Sequence, residues 1–398
     1  MIAKRQYNYS DLTTLFCVMI LMGLSVLVVY TASSSWALQK FGKSEYLLTS
    51  HVFKVFIAIV VLFIGMNINY QNYKKFTRGV LIIAALLLLF TLVLGDEVKG
   101  AVRFLRFGSI GFQPSEFAKF ALIFHLSTML VTKKESVLDF KKGYLPMVLW
   151  VGIISGLVMI QPNFSTSSMI LLISFILIFI GGIRLKHIVL TVAPLIPIVL
   201  IYMVSASYRW ARVEAFVKNF SSLLTLNSNA IKESGYQLWQ GIIGFGNGGI
   251  LGVGLGNSKQ RDLFLPESYG DFIFSIVGEE YGILGTLFFM TLFFLILWRG
   301  FKIARYAQDD YGKFLAYGIT ITITVYALIN ASVTLGLLPT TGLSMPFVSY
   351  GGSSIVFSAY AIGVLLNISK QTDLHPKLSR IPVVGTINAD GRINFEEK

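Results

Sequence analysis

The chain has 398 residues, of which 55% are hydrophobic and only 13% are charged. A soluble globular protein carries about a quarter charged residues, and the shortage here extends over the whole sequence, which excludes a soluble domain with a single anchor. The net charge of +13 fits cytoplasmic loops and anionic lipid headgroups rather than a nucleic-acid partner. Cys17 is the single cysteine, which excludes an internal disulfide and a thiolate metal cluster.

Ten apolar stretches are long enough to cross a bilayer, since a span needs about 20 residues. They lie near residues 12–32, 48–66, 79–95, 114–131, 144–160, 166–183, 188–206, 271–298, 314–338 and 345–368. We therefore predict an all-α, polytopic membrane protein of about ten transmembrane helices. Its membrane domain covers residues 1–370, and a short polar cytoplasmic tail covers residues 371–398.

The distribution of basic residues predicts the orientation. With the N-terminus in the cytoplasm, most Lys and Arg residues fall in cytoplasmic loops, as the positive-inside rule requires. An even number of spans then returns the basic C-terminal tail to the cytoplasm. The longest loop, about residues 207–270, is extracytoplasmic, and a loop of that length in a compact protein is usually functional or disordered. Its Gly-rich second half favours a function, and outward basic residues such as Lys40 and Lys54 indicate a face that holds an anion.

A first polar group precedes and begins the fourth predicted span. Its members are Arg103, Arg106, Gln113, Pro114, Ser115, Glu116 and Lys119. Pro114 suits the first turn of a helix, and Glu116 and Lys119 are three residues apart, so they share a face and can pair. Two interpretations stay open, which are a structural ion pair and a polar wall of a substrate cavity.

A second polar group lies where the long loop becomes the eighth predicted span. Ionisable groups at this depth are costly and are functional candidates. Asp271 lies at the junction, where it is open to water, and its alternative role is a helix N-cap. Glu279 and Glu280 lie about two turns deeper and fit a structural pair or an interhelical hydrogen bond better than catalysis.

A third group is the segment from Leu338 to Ser354, in which two prolines and three glycines interrupt an apolar run. Irregular backbone at membrane depth is tolerated only where it packs in protein or lines a cavity. We predict that it shapes an outward cavity, and close packing of small residues between helices is the alternative.

A glycine pattern in the long loop matches the dinucleotide fingerprint G-x-G-x-x-G, from Gly244 to Gly249. It follows no predicted strand and lies outside the cell, so a nucleotide site is not expected.

Together these segments resemble the signatures of the SEDS family (shape, elongation, division and sporulation). The matching stretches are Gly100-Ala-Val-Arg-Phe-Leu-Arg106, Phe112-Gln-Pro-Ser-Glu-Phe-Ala-Lys119, Gly235-Tyr-Gln237, Gly254-Leu-Gly-Asn-Ser-Lys-Gln260, Leu265-Pro-Glu267, Asp271-Phe-Ile-Phe274, Leu338-Pro-Thr-Thr-Gly342 and Pro346-Phe-Val-Ser-Tyr-Gly-Gly-Ser-Ser354. The resemblance covers nearly the whole chain in order. The Gly254–Gln260 stretch is closer to the FtsW division branch than to the RodA elongation branch.

The resemblance implies a peptidoglycan glycosyltransferase that polymerises lipid II, the undecaprenyl-pyrophosphate-linked disaccharide pentapeptide, on the extracytoplasmic face. It implies a location in the cell inner membrane, at the division septum. The implied partners are a class B penicillin-binding protein that cross-links the strands and other membrane proteins of the division machinery, with no nucleic acid.

The implied reaction assigns roles to particular residues. The resemblance places the essential carboxylate on Asp271, and a hydroxyl nucleophile does need a base within hydrogen-bond reach. A pyrophosphate leaving group needs cations, from side chains or from a divalent metal such as Mg²⁺ or Mn²⁺, and no nucleotide or haem is expected. We expect the substrate to contact Arg103, Arg106, Ser115, Glu116, Lys119, Arg209, Arg212, Gln237, Lys259, Glu267, Ser349, Gly351 and Ser353.

The chain departs from the family pattern at two places. Tyr269 and Gly270 stand where members commonly have His and Thr before the aspartate, which weakens any role for a neighbouring imidazole. Asn163 stands where members often have Asp, which argues against a charged role there. Three other functions stay open, which are a flippase or transporter of lipid-linked precursors, a lateral-wall (RodA-type) polymerase and a division scaffold that recruits partners.

Overall fold

The computed structural model describes residues 9–98, 101–107, 110–204, 210–211, 214, 216–217, 235–265, 268–372, 385–387 and 393–395. Twelve α-helices form its described framework. They are α1 (Leu12–Phe41), α2 (Tyr46–Asn67), α3 (Thr77–Leu94), α4 (Pro114–Thr132), α5 (Leu145–Ile160), α6 (Phe164–Ile180), α7 (Leu185–Val204), α8 (Tyr236–Gly248), α9 (Lys259–Leu263), α10 (Ile273–Arg305), α11 (Asp310–Thr334) and α12 (Gly352–Lys370).

Each of the ten predicted spans coincides with a helix, from α1 to α7 and from α10 to α12. Seven helical segments are long and apolar enough to cross a membrane: Leu12–Phe41, Tyr46–Asn67, Thr77–Leu94, Phe140–Ile160, Ile273–Arg305, Asp310–Thr334 and Gly352–Lys370. Two shorter apolar helices, Phe164–Ile180 and Leu185–Pro194, accompany them. The 19-residue helix α4 carries Glu116 and Lys119 near its start. The prediction of a polytopic helical membrane protein is confirmed.

Burial distinguishes the interior helices from the peripheral ones. Helices α4, α11 and α12 are buried on most faces, whereas α2 and α3 bury one stripe and leave the rest apolar and exposed, as expected for helices that face lipid. Helices α2 and α12 approach closely at Gly65 and Gly363, where a Cβ on Gly363 would lie 2.2 Å from the carbonyl oxygen of Leu62. Small residues thus permit this helix pair to pack.

The segment before α4 is a small antiparallel sheet rather than a loop. Strands β1 (Asp96–Val98), β2 (Ala101–Phe107) and β3 (Ile110–Phe112) pair in that order. The chain is still predominantly α-helical, as predicted, and the β-branched and aromatic residues of β2 suit this short strand. In the tail, β4 (Gly385–Ile387) pairs with β5 (Ile393–Phe395).

Helix α10 is broken at Gly282, whose φ of 66° and ψ of −163° are not helical. At the break, Val253 N and Gly254 N donate to the carbonyl oxygens of Glu279 and Glu280, at 2.9 and 3.1 Å. The amides beyond the break donate in turn to the loop, from Ile283 to Gly249 and from Leu284 to Ile250, at 2.9 and 3.2 Å. The loop thus replaces the helical bonds that the break removes, and it supplies the partners that buried backbone groups require.

At the end of the helices that is predicted to be cytoplasmic, polar contacts join helices that are far apart in sequence. Asp11 caps α1 by accepting from Thr14 N at 2.8 Å, and its carboxylate forms a buried ion pair with Arg299 of α10. Asp11 N donates to the hydroxyl of Ser369 in α12 at 2.9 Å. The start of α1 and the ends of α10 and α12 are therefore held together.

Candidate active site

Asp271 lies in the turn that leads into α10, on the side of the membrane predicted to be extracytoplasmic. Its carboxylate is half-buried and faces Gly342, where a Cβ would lie 3.3 Å from Asp271 Oδ2. The helix begins at Ile273 with Phe272 in the N-cap position, so the alternative role of Asp271 as the N-cap is not adopted.

Asn330 of α11 fixes the backbone around this carboxylate. Its Nδ2 donates to Asp271 O at 2.8 Å and to Leu343 O at 2.7 Å. One buried amide thereby joins the turn that carries Asp271 to the irregular segment after α11. Asn330 is not among the residues predicted from the sequence, although a carboxamide inside an apolar helix is a signal of interhelical hydrogen bonding.

The irregular segment between α11 and α12 is held by one of its own hydroxyl groups and by a backbone hydrogen bond to the turn before α10. Met345 N donates to the buried Ser349 Oγ at 2.8 Å, and Tyr350 N donates to Tyr269 O at 2.9 Å. Helix α12 begins at Gly352, seven residues later than the predicted span, because residues 343–351 form this turn. The segment approaches Asp271 at Gly342, and its role in lining an outward cavity stays a prediction.

Ser353 joins α12 to the sheet and α4. Its Oγ accepts from Gln113 N at 2.8 Å and donates to Gly111 O at 3.2 Å. The neighbouring Gly351 is half-buried just before the helix begins. Ser349 and Ser353 thus position backbone in this structure, and their predicted contact with substrate stays a prediction.

Glu116 and Lys119 form the predicted pair. Lys119 Nζ lies 2.8 Å from Glu116 Oε2 with both side chains nearly inaccessible, and 4.0 Å from the ring centroid of Tyr326 in α11. Ser115 is also buried, and its hydroxyl has no hydrogen-bond partner within the described residues. The contact of Lys119 with Tyr326 joins α4 to α11.

The other predicted substrate residues have different environments. Arg103 is half-buried and Arg106 is exposed on β2, while Gln237 on α8 and Lys259 on α9 are both exposed. Among the described contacts, none joins Gln237 or Lys259 to Asp271. Arg209, Arg212 and Glu267 lie outside the described residues.

Lys54 of α2 is a cation that the predicted set omits. Its Nζ lies 3.8 Å from the ring centroid of Tyr350, and its Cε lies 3.8 Å from the position of a Cβ on Gly352. The first turn of α12 carries the positive end of the helix dipole. Lys54 therefore adds positive charge where α12 begins, close to the segment that faces Asp271.

Glu279 and Glu280 do not pair with each other, but each has a structural partner of the predicted kind: Glu279 forms an interhelical hydrogen bond with Asn247 of α8, and Glu280 lies 3.8 Å from Arg261 Nη1 of α9. The buried Glu279 carboxylate accepts from Ser258 Oγ at 2.5 Å, from Gln260 N at 3.2 Å and from Asn247 Nδ2 at 3.3 Å. Glu280 accepts from Gly256 N at 3.1 Å. Both carboxylates instead hold the Gly-rich loop against α10, since a buried carboxylate needs donors.

The glycines of the apparent dinucleotide fingerprint serve helix packing. Gly244 and Gly248 lie on α8 against α10, where a Cβ on Gly248 would lie 2.0 Å from the Gly278 carbonyl oxygen. The predicted long loop therefore contains two helices, α8 and α9, in its described part.

The described residues bring together no group of three or more His, Cys, Asp or Glu side chains that could hold a metal ion. Asp271 could supply one oxygen ligand, whereas Glu116 is bound to Lys119. A divalent ion at Asp271 would take further ligands from substrate, water or residues outside the described part. The candidate site therefore consists of the Asp271 carboxylate next to the irregular segment between α11 and α12. Lys54 and the Glu116–Lys119 pair lie on helices that border this segment.

Known sequences share this organisation. Residues 11–374 match the FtsW/RodA/SpoVE family, described as cell cycle protein. A "Probable peptidoglycan glycosyltransferase FtsW" of Trichlorobacter lovleyi is 35% identical over 368 residues, which cover 92% of this chain and 94% of that relative. Stage V sporulation protein E of Bacillus subtilis is 33% identical over 366 residues, which cover 90% of this chain and 97% of that relative.

Solved structures share the fold. A chain from work on the structural coordination of polymerization and crosslinking by a peptidoglycan synthase complex superposes with a TM-score of 0.74 at 22% identity, covering 91% of this chain and 98% of that chain. The rod shape determining protein RodA of Thermus thermophilus gives a TM-score of 0.65 at 21% identity, covering 92% and 98%. With the match over almost the whole sequence, this chain belongs to the FtsW/RodA/SpoVE family of cell cycle proteins.

Proposed function

We propose that this protein is a peptidoglycan glycosyltransferase that polymerises lipid II on the extracytoplasmic face of the cell inner membrane. The observation that carries the proposal is the half-buried Asp271 carboxylate, which lies at the outer end of α10 and faces the irregular segment at Gly342. The names of relatives at 33 to 35% identity support it. A site at the membrane boundary can accept a lipid tail in the bilayer and sugars in water.

In the proposed reaction, the 4-hydroxyl of an acceptor GlcNAc attacks C1 of a donor MurNAc. Asp271 accepts the hydroxyl proton as the new C–O bond forms. The bond from C1 to the phosphate oxygen breaks, and undecaprenyl pyrophosphate leaves with the electron pair. Cationic side chains stabilise the charge that develops on the leaving group, and Lys54, Arg103 and Arg106 are the described candidates.

The division role follows from the relatives named FtsW. We propose that the protein acts at the septum with both termini in the cytoplasm, and that a class B penicillin-binding protein supplies the cross-linking. The resemblance in fold to a chain of a peptidoglycan synthase complex supports that pairing. Localisation of a tagged copy through the cell cycle tests the septal role against a lateral-wall role.

The deciding experiment is Asp271→Asn in the purified protein with lipid II as substrate. We expect polymer formation to be abolished while the thermal unfolding midpoint stays unchanged, because the amide keeps the shape but cannot accept the proton. Asp139→Asn is the matched control, since Asp139 binds Lys141 N and Lys142 N in an exposed cytoplasmic loop, and it should polymerise normally. Full polymerisation by Asp271→Asn contradicts the assignment, and transbilayer movement of fluorescent lipid II without polymer favours the flippase.

A further inference from the structure

A continuous row of aromatic rings leads from the turn between α1 and α2 towards Asp271. The ring centroids of Tyr46 and Phe41 lie 4.2 Å apart, and those of Phe41 and Trp36 lie 5.6 Å apart. Trp36 continues to Tyr269 at 5.3 Å, and Tyr269 continues to Tyr350 at 5.5 Å. Tyr269 precedes Asp271 by two residues, so the row ends at the candidate active site.

The length of α1 explains why its end of the row projects outward. Its 30 residues span about 45 Å at about 1.5 Å per residue, which exceeds a hydrocarbon core of about 30 Å. Gly42 then ends the helix in the left-handed conformation, with φ of 69°, and the chain reverses so that Tyr46 stacks on Phe41. The outer rings are therefore held at or above the outer membrane surface.

The rings at the inner end of the row are buried, and the rings at its outer end are exposed. Tyr269 is buried in a small apolar cluster with Leu47 and Phe272, against which Trp36 and Tyr350 pack. Phe41 and Tyr46, by contrast, are 42% and 51% exposed. A rigid inner end and accessible outer faces are what a preformed binding surface requires.

Two lysines lie over rings of this row. Lys40 Nζ is 4.6 Å from the ring centroid of Trp36, and Lys54 Nζ is 3.8 Å from that of Tyr350. Each ammonium carries three hydrogen-bond donors. The row thus combines apolar faces with donors that suit hydroxyl and acetamido oxygens.

We propose that Trp36, Phe41, Tyr46 and Lys40 form a glycan-binding subsite that holds an N-acetylhexosamine oligosaccharide next to Asp271. This inference rests on the proposed function, since it assigns the sugar strand a path away from the carboxylate. Aromatic faces carry negative potential, which attracts the partly positive C–H groups on the flat face of a pyranose ring. Several consecutive rings can hold more than one sugar residue, so the subsite would retain a strand between additions.

The test uses the full-length protein in nanodiscs and chitotetraose, a soluble β-1,4-linked tetrasaccharide of N-acetylglucosamine, as the probe. Calorimetric titration should detect binding to the unaltered protein and to Asp271→Asn, because the subsite does not need catalysis. The double substitution Phe41→Ala with Tyr46→Ala should weaken the affinity about tenfold, the loss expected for two stacking partners. With lipid II as substrate, the same variant should make shorter strands.

Two further variants serve as controls for the alanine pair. Phe41→Tyr with Tyr46→Phe retains both ring faces and should bind like the unaltered protein. Phe76→Ala removes a ring that is 66% exposed at the start of α3, at the opposite membrane boundary, and should leave binding unchanged.

Two results overturn the subsite: no binding of millimolar chitotetraose to the unaltered protein, or unchanged affinity in the alanine pair. If the affinity of that pair is unchanged and its unfolding midpoint is lowered, the rings form an aromatic belt in the lipid headgroups. An active Asp271→Asn variant would refute only the assignment of Asp271 as the base, because chitotetraose binding is measured independently of turnover.

Discussion

Asn330 is the residue on which the geometry around Asp271 depends most directly. Asn330→Leu keeps a similar volume but removes the donor to two carbonyl oxygens, those of Asp271 and Leu343. We expect the free energy of unfolding to fall by about 1–3 kcal/mol for the buried groups left without this donor. Polymerisation should fall more steeply, because a small displacement of a catalytic group is costly. Denaturant titration and a lipid II assay measure the two effects.

Asn67→Ala is the matched control for this substitution. Asn67 also donates an amide hydrogen to a carbonyl, that of Phe63 at 2.9 Å, but at an exposed helix end. Both stability and polymerisation should stay close to those of the unaltered protein. If Asn330→Leu retained full activity, the position of Asp271 would not depend on this hydrogen bond.

The Glu116–Lys119 pair allows its two interpretations to be separated. Lys119→Met alone leaves a buried carboxylate without its cation, and we expect a loss of about 3–5 kcal/mol in the free energy of unfolding. Glu116→Gln with Lys119→Met removes both charges and should recover most of that stability. If the pair also forms a wall of the substrate site, polymerisation stays low in the stable double variant.

Normal polymerisation by the double variant would show that the pair is structural. Lys134 and Asp310 provide the control, because they also pair at 2.7 Å, but Lys134 is largely exposed and Asp310 is partly exposed in the first turn of α11. The substitution Lys134→Met should have little effect on stability or polymerisation, since exposed ion pairs contribute little.

Local spacing made some of the site residues predictable. The contact between Glu116 and Lys119 follows from their separation of three residues on a helix, and Asp271 follows from the family motif. Asn330 was not predictable in the same way, because its two acceptors come from segments that only the tertiary fold brings to α11. For the same reason, the partners of Glu279 in the Gly-rich loop could not be read from helical spacing.

At the scale of elements, the break in α10 requires a glycine at position 282. A Cβ there would lie 2.4 Å from Gly252 N and 2.5 Å from Ile250 O, at a backbone conformation that L-residues rarely adopt. Gly282→Ala should therefore cost at least about 1–3 kcal/mol in strain and displace the loop at residues 249–254. We expect faster proteolysis of that loop and reduced polymerisation.

Gly246→Ala is the control for the break. Gly246 is exposed on α8, and a Cβ added there would have no atom within 4 Å, so alanine should stabilise the helix by about 0.5–1 kcal/mol. Should Gly282→Ala behave like Gly246→Ala, the loop would not be locked to the helix by the bonds at the break.

Apolar length predicted the helices well, and backbone irregularity was harder to predict. The apolar stretches correspond to α1 to α7 and α10 to α12 because lipid imposes a minimum span length. The break at Gly282 and the delayed start of α12 at Gly352 depend on loop amides and hydroxyls that replace helical bonds. The short strand β2 depends on pairing with β1 and β3, which hydropathy does not report.

For the whole molecule, the end that is predicted to be cytoplasmic is closed by buried polar contacts. The Asp11–Arg299 ion pair and the bond from Asp11 to Ser369 join three helices, and Tyr70 N donates to Asn367 Oδ1 at 2.9 Å. A flippase that opened to the cytoplasm would separate these groups, and breaking a buried pair costs several kcal/mol. Glycosyl transfer at the outer end leaves them intact, so this arrangement favours the polymerase.

The orientation of the whole molecule has a direct test because its single cysteine, Cys17, is buried. Lys43→Cys lies in the exposed turn after α1, and Lys141→Cys lies in the exposed segment before α5. In intact cells, a membrane-impermeant maleimide should label Lys43→Cys and leave Lys141→Cys unlabelled. A cysteine appended after Lys398 should also stay unlabelled until the membrane is permeabilised.

Each result constrains the site as well as the topology. Asp271 and Lys43 are separated from Lys141 by helices that span the bilayer, so labelling of Lys43→Cys in intact cells puts the carboxylate on the side where the sugar strand must grow. Labelling of Lys141→Cys instead would reverse the molecule and place Asp271 in the cytoplasm, which is incompatible with extracytoplasmic polymerisation. Labelling of the appended cysteine in intact cells would mean an odd number of spans, and the positive-inside argument for the tail would then be wrong.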